Sequence, residues 1–120
     1  MTYKSPETGQ EISCVMKGIP REFLLDNKKL KSILEGSLQK NKFTILKTIY
    51  KKFSPQGFTA LILLSESHLA IHTYPEYNSI YFNLYSCRGP NDAKPTFELV
   101  KEKLKPKKIL FYKENKIPVN

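Results

Sequence analysis

The stretch Phe58-Thr59-Ala60-Leu61-Ile62-Leu63-Leu64-Ser65 decides the fold. Its large apolar side chains follow one another instead of alternating with polar ones, and it is bounded by turn chemistry, so it reads as a strand buried on both faces. Just upstream, Ser54-Pro55-Gln56-Gly57 is a turn signal, preceded by a long strand over about 43–53. Further back, a strand over about 11–17 alternates Ile12, Cys14 and Met16 against polar neighbours. Asp26 or Asn27 then supplies a helix N-cap. In the helix that follows, Leu30, Ile33, Leu34 and Leu38 form one apolar stripe, weakened slightly by Gly36. Downstream come a histidine-bearing stretch (68–73), a Tyr74-Pro75 break and a strand over 79–86. A second helix opens within 91–95, carries Phe97, Val100 and Leu104 on one face and gathers lysines toward its end. Pro106 stops it, and 109–112 make a last strand.

This β-α-β-β-β-α-β order predicts an α/β (α+β) two-layer sandwich: a mostly antiparallel sheet with two helices on one face. Helices on one face leave the other bare. A central strand apolar on both faces then needs a second cover, most simply another copy of the sheet, which predicts a homodimer.

The 120 residues make one domain (1–120), with 40% hydrophobic and 26% charged residues, ordinary for a soluble globular protein. The longest apolar run, Phe58 to Leu64, is far short of the roughly 18 residues of a membrane span. The N-terminal residues are polar with no apolar core of a secretory signal, so a cytoplasmic address and no membrane partner are expected. The net charge is +9, yet among the 20 basic residues only Arg21 and Arg88 are arginine. The lysines are scattered, which points to a solvated surface and not to a nucleic-acid partner. Cys14 and Cys87 make no disulfide framework and no zinc-type spacing, and both read as small buried thiols.

The informative segment runs Leu64-Ser65-Glu66-Ser67-His68-Leu69-Ala70-Ile71-His72-Thr73-Tyr74-Pro75-Glu76 and holds both histidines of the chain. If it is extended, His68 and His72 share a face but stand roughly 13 Å apart at about 3.3 Å per residue. One metal could not bridge them, and no metal is expected. The G-x-S-x-G elbow of a serine hydrolase is absent.

With Cys87 twenty residues after Ser67, this segment resembles the processing and active site of the small prokaryotic S-adenosylmethionine decarboxylases. Phe53-Ser54-Pro55-Gln56-Gly57 and the helix opening near Leu24 to Asn27 are similar as well. The resemblance implies a self-cleaving proenzyme that splits between Glu66 and Ser67 into 1–66 (beta chain) and 67–120 (alpha chain). Ser67 Oγ attacks the Glu66 carbonyl, the amide becomes an ester, and loss of the Ser67 α-proton expels the Glu66 carboxylate. Hydrolysis of the dehydroalanine leaves a covalently bound pyruvoyl group, which forms a Schiff base with substrate. The resemblance further implies that His72 transfers the proton in processing and that Cys87 is the proton donor in decarboxylation. Phe53 stacks on adenine, Glu76 holds the ribose, and Tyr74 stands where many relatives carry Trp. The resemblance also offers Ser65 and His68 as supports of processing, with a purely structural role as the alternative for His68. The product is the aminopropyl donor for spermidine and other polyamines.

Relatives often carry Gly-x-His where this chain reads Gly9-Gln10-Glu11. A carboxylate there suits a guanidinium or a second amine, so a pyruvoyl-dependent arginine or ornithine decarboxylase on the same scaffold is the nearest alternative. From another class comes a basic RRM-like nucleic-acid-binding module with Tyr81-Phe82-Asn83-Leu84-Tyr85 as a stacking strand, although the RNP1 pattern is missing. A catalytically silent partner subunit is the third alternative, opposed by the intact Ser67, His72 and Cys87.

Overall fold

The computed structural model describes residues 3–120. Its strands are β1 (Thr8–Lys17), β2 (Ile45–Lys52), β3 (Phe58–Leu64), β4 (His68–Tyr74), β5 (Ser79–Ser86) and β6 (Lys108–Pro118). Its helices are α1 (Arg21–Leu25), α2 (Asn27–Lys40) and α3 (Lys94–Leu104). The strands form one antiparallel sheet in the order β2-β3-β4-β5-β1-β6. The α+β sandwich expected from the sequence is present, with three differences. The histidine-bearing stretch is a full central strand, β4, which raises the strand number above the expected one. The last strand reaches Pro118 instead of ending at Tyr112. A five-residue helix, α1, precedes the expected one.

Local chemistry accounts for the elements. Asp26 caps α2, its carboxylate accepting from Lys28 N and Lys29 N. The α3 N-terminus is capped from another element: Gln10 of β1, itself buried, accepts from Ala93 N at 2.8 Å and Lys94 N at 2.9 Å. This leaves fewer orphan amides in the first turn. The β2–β3 connection closes with Phe53 N–H donating to Gly57 O at 2.8 Å. Gly57 has φ +97°, a conformation that side-chain-bearing residues rarely adopt.

One core lies between sheet and helices. Ile12, Cys14 and Met16 of β1, Leu69 and Ile71 of β4, and Ile80, Phe82 and Leu84 of β5 alternate into it. Leu30, Leu34 and Leu38 of α2 and Phe97, Val100 and Leu104 of α3 meet them. Phe82 packs edge-on to Phe97 at 5.6 Å, and truncating so buried a ring costs about 3–5 kcal/mol.

The decisive strand β3 alternates after all. Phe58, Ala60, Ile62 and Leu64 are buried, whereas Leu61 and Leu63 on the opposite face remain 49% and 53% exposed. Within one protomer, burial on both faces is therefore not met. The outer face is unlike a solvated sheet face, because Leu61 and Leu63 join Ile49 and the aliphatic part of Lys47 around an apolar hollow beside His68. Among the described residues no helix is long and apolar enough to cross a membrane.

Candidate active site

Strands β3 and β4 are joined by a tight turn at Ser65 and Glu66, in which Leu64 N–H donates to Ser67 O at 3.0 Å. The turn is docked from below by Ser65 N–H donating to Thr44 O at 3.1 Å. At its end Ser67 is buried. The chain leaving β5 passes beside it, and Cys87 makes two contacts there. Its backbone N–H donates to Ser67 Oγ at 3.2 Å, and its thiol donates to the Glu66 carbonyl oxygen at 2.9 Å. Ser67, Glu66 and Cys87 are thus brought together as the sequence reading required. Cys87 is half-buried and part of this cluster, so its reading as a bland buried thiol gives way, while Cys14 is fully buried in the core.

Two neighbours of this cluster escaped the sequence reading. Tyr3 places its hydroxyl 3.6 Å from Cys87 Sγ. The thiol has one proton and spends it on Glu66, so the phenol is the donor. That hydrogen bond, with some burial, pushes the Tyr3 phenol up to about 12. Arg88 holds Asp92 at 2.7 Å and stands 3.9 Å from the Glu66 carboxylate.

His72 is elsewhere. It lies five residues beyond Ser67 on β4, which at about 3.3 Å per residue places it roughly 16 Å away. β4 is hydrogen-bonded to β3 on one side and β5 on the other, so it cannot fold back. At this far end His72 Nδ1 lies 2.9 Å from Thr59 Oγ1, and its ring tilts against Tyr81 at 5.9 Å. A cavity of about 570 Å³ opens there, lined by Phe53, Gly57, Thr59, His72, Tyr74 and Glu76 among others. Phe53, Tyr74 and Glu76, the residues expected to hold substrate, therefore gather around His72 and not around Ser67. Thr59 was missed because its register partner is His72. The pairing becomes visible only once the histidine-bearing stretch is drawn as a strand.

His68 stays exposed on the outer face, 5.9 Å from the Tyr85 ring. Tyr81 and Tyr85 are thus taken up by the two histidines, while Phe82 and Leu84 are in the core. A nucleobase-stacking strand is not what β5 offers. Glu11 is on the same outer face, its two oxygens accepting from Asn83 Nδ2 and Asn115 Nδ2, each at 3.3 Å. No group of three or more metal-ligating side chains exists among the described residues.

Comparison with known proteins adds an independent line. A family model described as S-adenosylmethionine decarboxylase matches residues 10–115. The S-adenosylmethionine decarboxylase proenzyme of Archaeoglobus fulgidus is 32% identical over 104 residues, covering 87% of this chain and 93% of that one. The protein of the same name from Brevibacillus brevis is 36% identical over 100 residues, 83% of this chain and 75% of its own. The crystal structure of the adenosylmethionine decarboxylase from Aquifex aeolicus superposes with a TM-score of 0.86, covering 97% of this chain and 95% of that chain. At 24% identity, that last likeness speaks for the fold.

Proposed function

The chain belongs to the S-adenosylmethionine decarboxylase family, and from that premise we propose that it cleaves itself between Glu66 and Ser67 and then decarboxylates S-adenosylmethionine with a pyruvoyl group derived from Ser67. One observation carries the cleavage: both groups of Cys87 address the two reacting partners where the turn enters the buried Ser67. The backbone amide fixes the Ser67 hydroxyl, and the thiol donates to the carbonyl it must attack. A donor already aimed at that oxygen favours the charge it acquires as the tetrahedral adduct forms. The donor set also suits a pyruvoyl group at residue 67, since the Cys87 N–H already reaches the side chain there and its S–H the carbonyl just before it. When present, that group supplies the electron sink for decarboxylation. Cys87 brings a thiol proton to this same corner of the fold, which supports its role as proton donor.

The separation of Ser67 from His72 supports a homodimer in which two copies build each site. Two sheets packed by their outer faces, about a two-fold axis running between them and across the strands, set each β4 antiparallel to its counterpart. The Ser67 end of one protomer then lies against the His72 end of its partner. The apolar outer face at Ile49, Leu61 and Leu63 supports that packing, and isologous contacts of this kind are the commonest in homodimers. Each site then combines Ser67 and Cys87 of one protomer with Thr59, His72, Phe53, Tyr74 and Glu76 of its partner. Thr59 orients the His72 ring for proton transfer. The cavity beside it is within the range of small-molecule sites, and Phe53 and Glu76 offer a stacking face and a hydroxyl acceptor for an adenosyl group.

Intact mass spectrometry of the purified protein tests the cleavage. Two fragments split after Glu66, the second blocked to Edman degradation, are expected; one stable 13.9 kDa species overturns it. Release of carbon dioxide from S-adenosylmethionine in preference to arginine and ornithine is the expected substrate pattern. A preference for either amino acid would replace the substrate and leave the cleavage standing.

A further inference from the structure

Arg88 follows Cys87 directly, and its guanidinium ties together the segments that meet at the cleavage turn. Nε donates to Asp92 Oδ2 at 2.7 Å, and Asp92 is itself fixed by the Ser86 hydroxyl at 2.7 Å. The terminal nitrogens donate to Lys42 O at 2.9 Å and Asn41 O at 2.8 Å, beyond the end of α2. The guanidinium also lies over the Phe43 ring, 3.6 Å from its centroid, and the next residue, Thr44, is the one that docks Ser65. Arg88 therefore grips the segment on which the turn rests.

The turn presents an unusual group to it. Among the described residues Glu66 Oε1 is buried with no hydrogen-bond partner, and the nearest opposite charge among them is Arg88 Nε at 3.9 Å. An ionised oxygen in that position is costly unless a cation compensates it. A guanidinium carries five N–H donors. Three are engaged with Asp92, Lys42 and Asn41, the single Nε–H among them, so Arg88 faces Glu66 as a nearby positive charge and not as a hydrogen-bond donor.

We propose that Arg88 is a positioning residue for self-cleavage: it holds Glu66 in the turn and supplies the countercharge for the carboxylate that Glu66 becomes. The proposal rests on the cleavage reading above. In the ester, the Glu66 acyl carbon is joined to Ser67 Oγ. A base removes the Ser67 Cα proton, the C–H electron pair becomes the Cα–Cβ double bond, and the Cβ–Oγ bond breaks. The electron pair of that bond departs with Glu66 as its new terminal carboxylate. Glu66 thereby doubles its negative charge in a part-buried position, and Arg88 is the cation beside it. A permanently charged guanidinium 3.9 Å from the Glu66 side chain stabilises such a developing carboxylate by charge alone.

The test compares wild type, Arg88→Gln and Arg88→Lys by intact mass over time, with hydroxylamine added to cut esters while sparing amides. Arg88→Gln is expected to slow cleavage roughly ten- to hundredfold and to accumulate hydroxylamine-sensitive ester, because elimination is the step left without its countercharge. Arg88→Lys, which keeps the charge and loses the fork, is expected to fall between the two. Cleavage of Arg88→Gln at the wild-type rate overturns the proposal, as does a slow variant holding only amide, since that marks a role in shaping the turn alone. Should Arg88→Gln fail to give a cooperative melt, Arg88→Lys decides: slowed cleavage with ester present supports the countercharge, and arrest as amide overturns it. A wild-type chain that never splits would instead overturn the underlying cleavage reading.

Discussion

If Ser67 takes its processing histidine from a partner, two inactive variants should rescue each other. Within one chain the residues lie roughly 16 Å apart along an inner strand, whereas proton transfer needs donor and acceptor at about 3 Å or one water further. Side-chain rotation cannot close that gap, and β4 is held on both edges. A Ser67→Ala chain retains His72, and a His72→Ala chain retains Ser67 and Cys87. Co-expressed in equal amounts and assorting at random, about half of all dimers are mixed, so about half of the His72→Ala chains acquire an intact His72 from their partner. With distinct tags on the two chains, the intact mass of the His72→Ala chain reads the result. About half of it should split after Glu66, against nearly none when it is made alone. No gain on co-expression would refute the shared site, and rapid cleavage of His72→Ala alone would remove His72 from processing altogether.

Thr59→Val keeps the shape and strand preference of the residue but deletes the hydrogen bond at 2.9 Å to His72 Nδ1. Loss of about 1 kcal/mol of orientation should slow cleavage roughly fivefold in a mass time course, and an unchanged rate would strip Thr59 of its role. Burial pushes the Cys14 thiol from 9.0 up to about 11, against a small lowering by Lys101. The folded chain therefore keeps a proton that the unfolded chain releases. Its contribution to stability is complete below pH 9 and is lost as pH rises from about 9 to about 11. Thermal melts across that window should fall more steeply for wild type than for Cys14→Ala, and parallel curves would refute this.

The elements that could be read in advance are those whose signal is local. Asp26 and the Leu30, Ile33, Leu34, Leu38 stripe specify α2 by a cap and one apolar face. β6 was underestimated because Lys113, Glu114, Asn115 and Lys116 show no apolar alternation; its far half is held by backbone pairing to β1, on which hydropathy is silent. The β4 segment does alternate, Leu69, Ile71 and Thr73 inward against His68, Ala70 and His72 outward. Its histidines drew attention as chemistry and hid their regularity as a strand. In β3, consecutive aliphatics cannot say which face the helices cover, and the answer leaves Leu61 and Leu63 exposed on the other face.

The site residues follow the same division. Cys87 is separated from the adjacent Glu66 and Ser67 by one hairpin, and it was the resemblance to the family that joined them. Arg88 was invisible as a site residue because its partners, Asn41 and Lys42, come from a loop that hydropathy cannot place. Glu11 shows the opposite case, a sequence signal whose meaning structure alters. As a free carboxylate it would favour a guanidinium or diamine substrate. Here each of its oxygens already accepts an amide N–H, from Asn83 on β5 and Asn115 on β6. The donors come from both neighbouring strands, so Glu11 is anchored within the outer face, and a cationic substrate would have to compete with both for it. The charge persists and favours positive groups over that face, which a sulfonium satisfies as well as an amine does. Glu11 therefore gives no advantage to arginine or ornithine over S-adenosylmethionine, and under the proposed function discrimination falls to the end of the sheet where Phe53 and Glu76 stand.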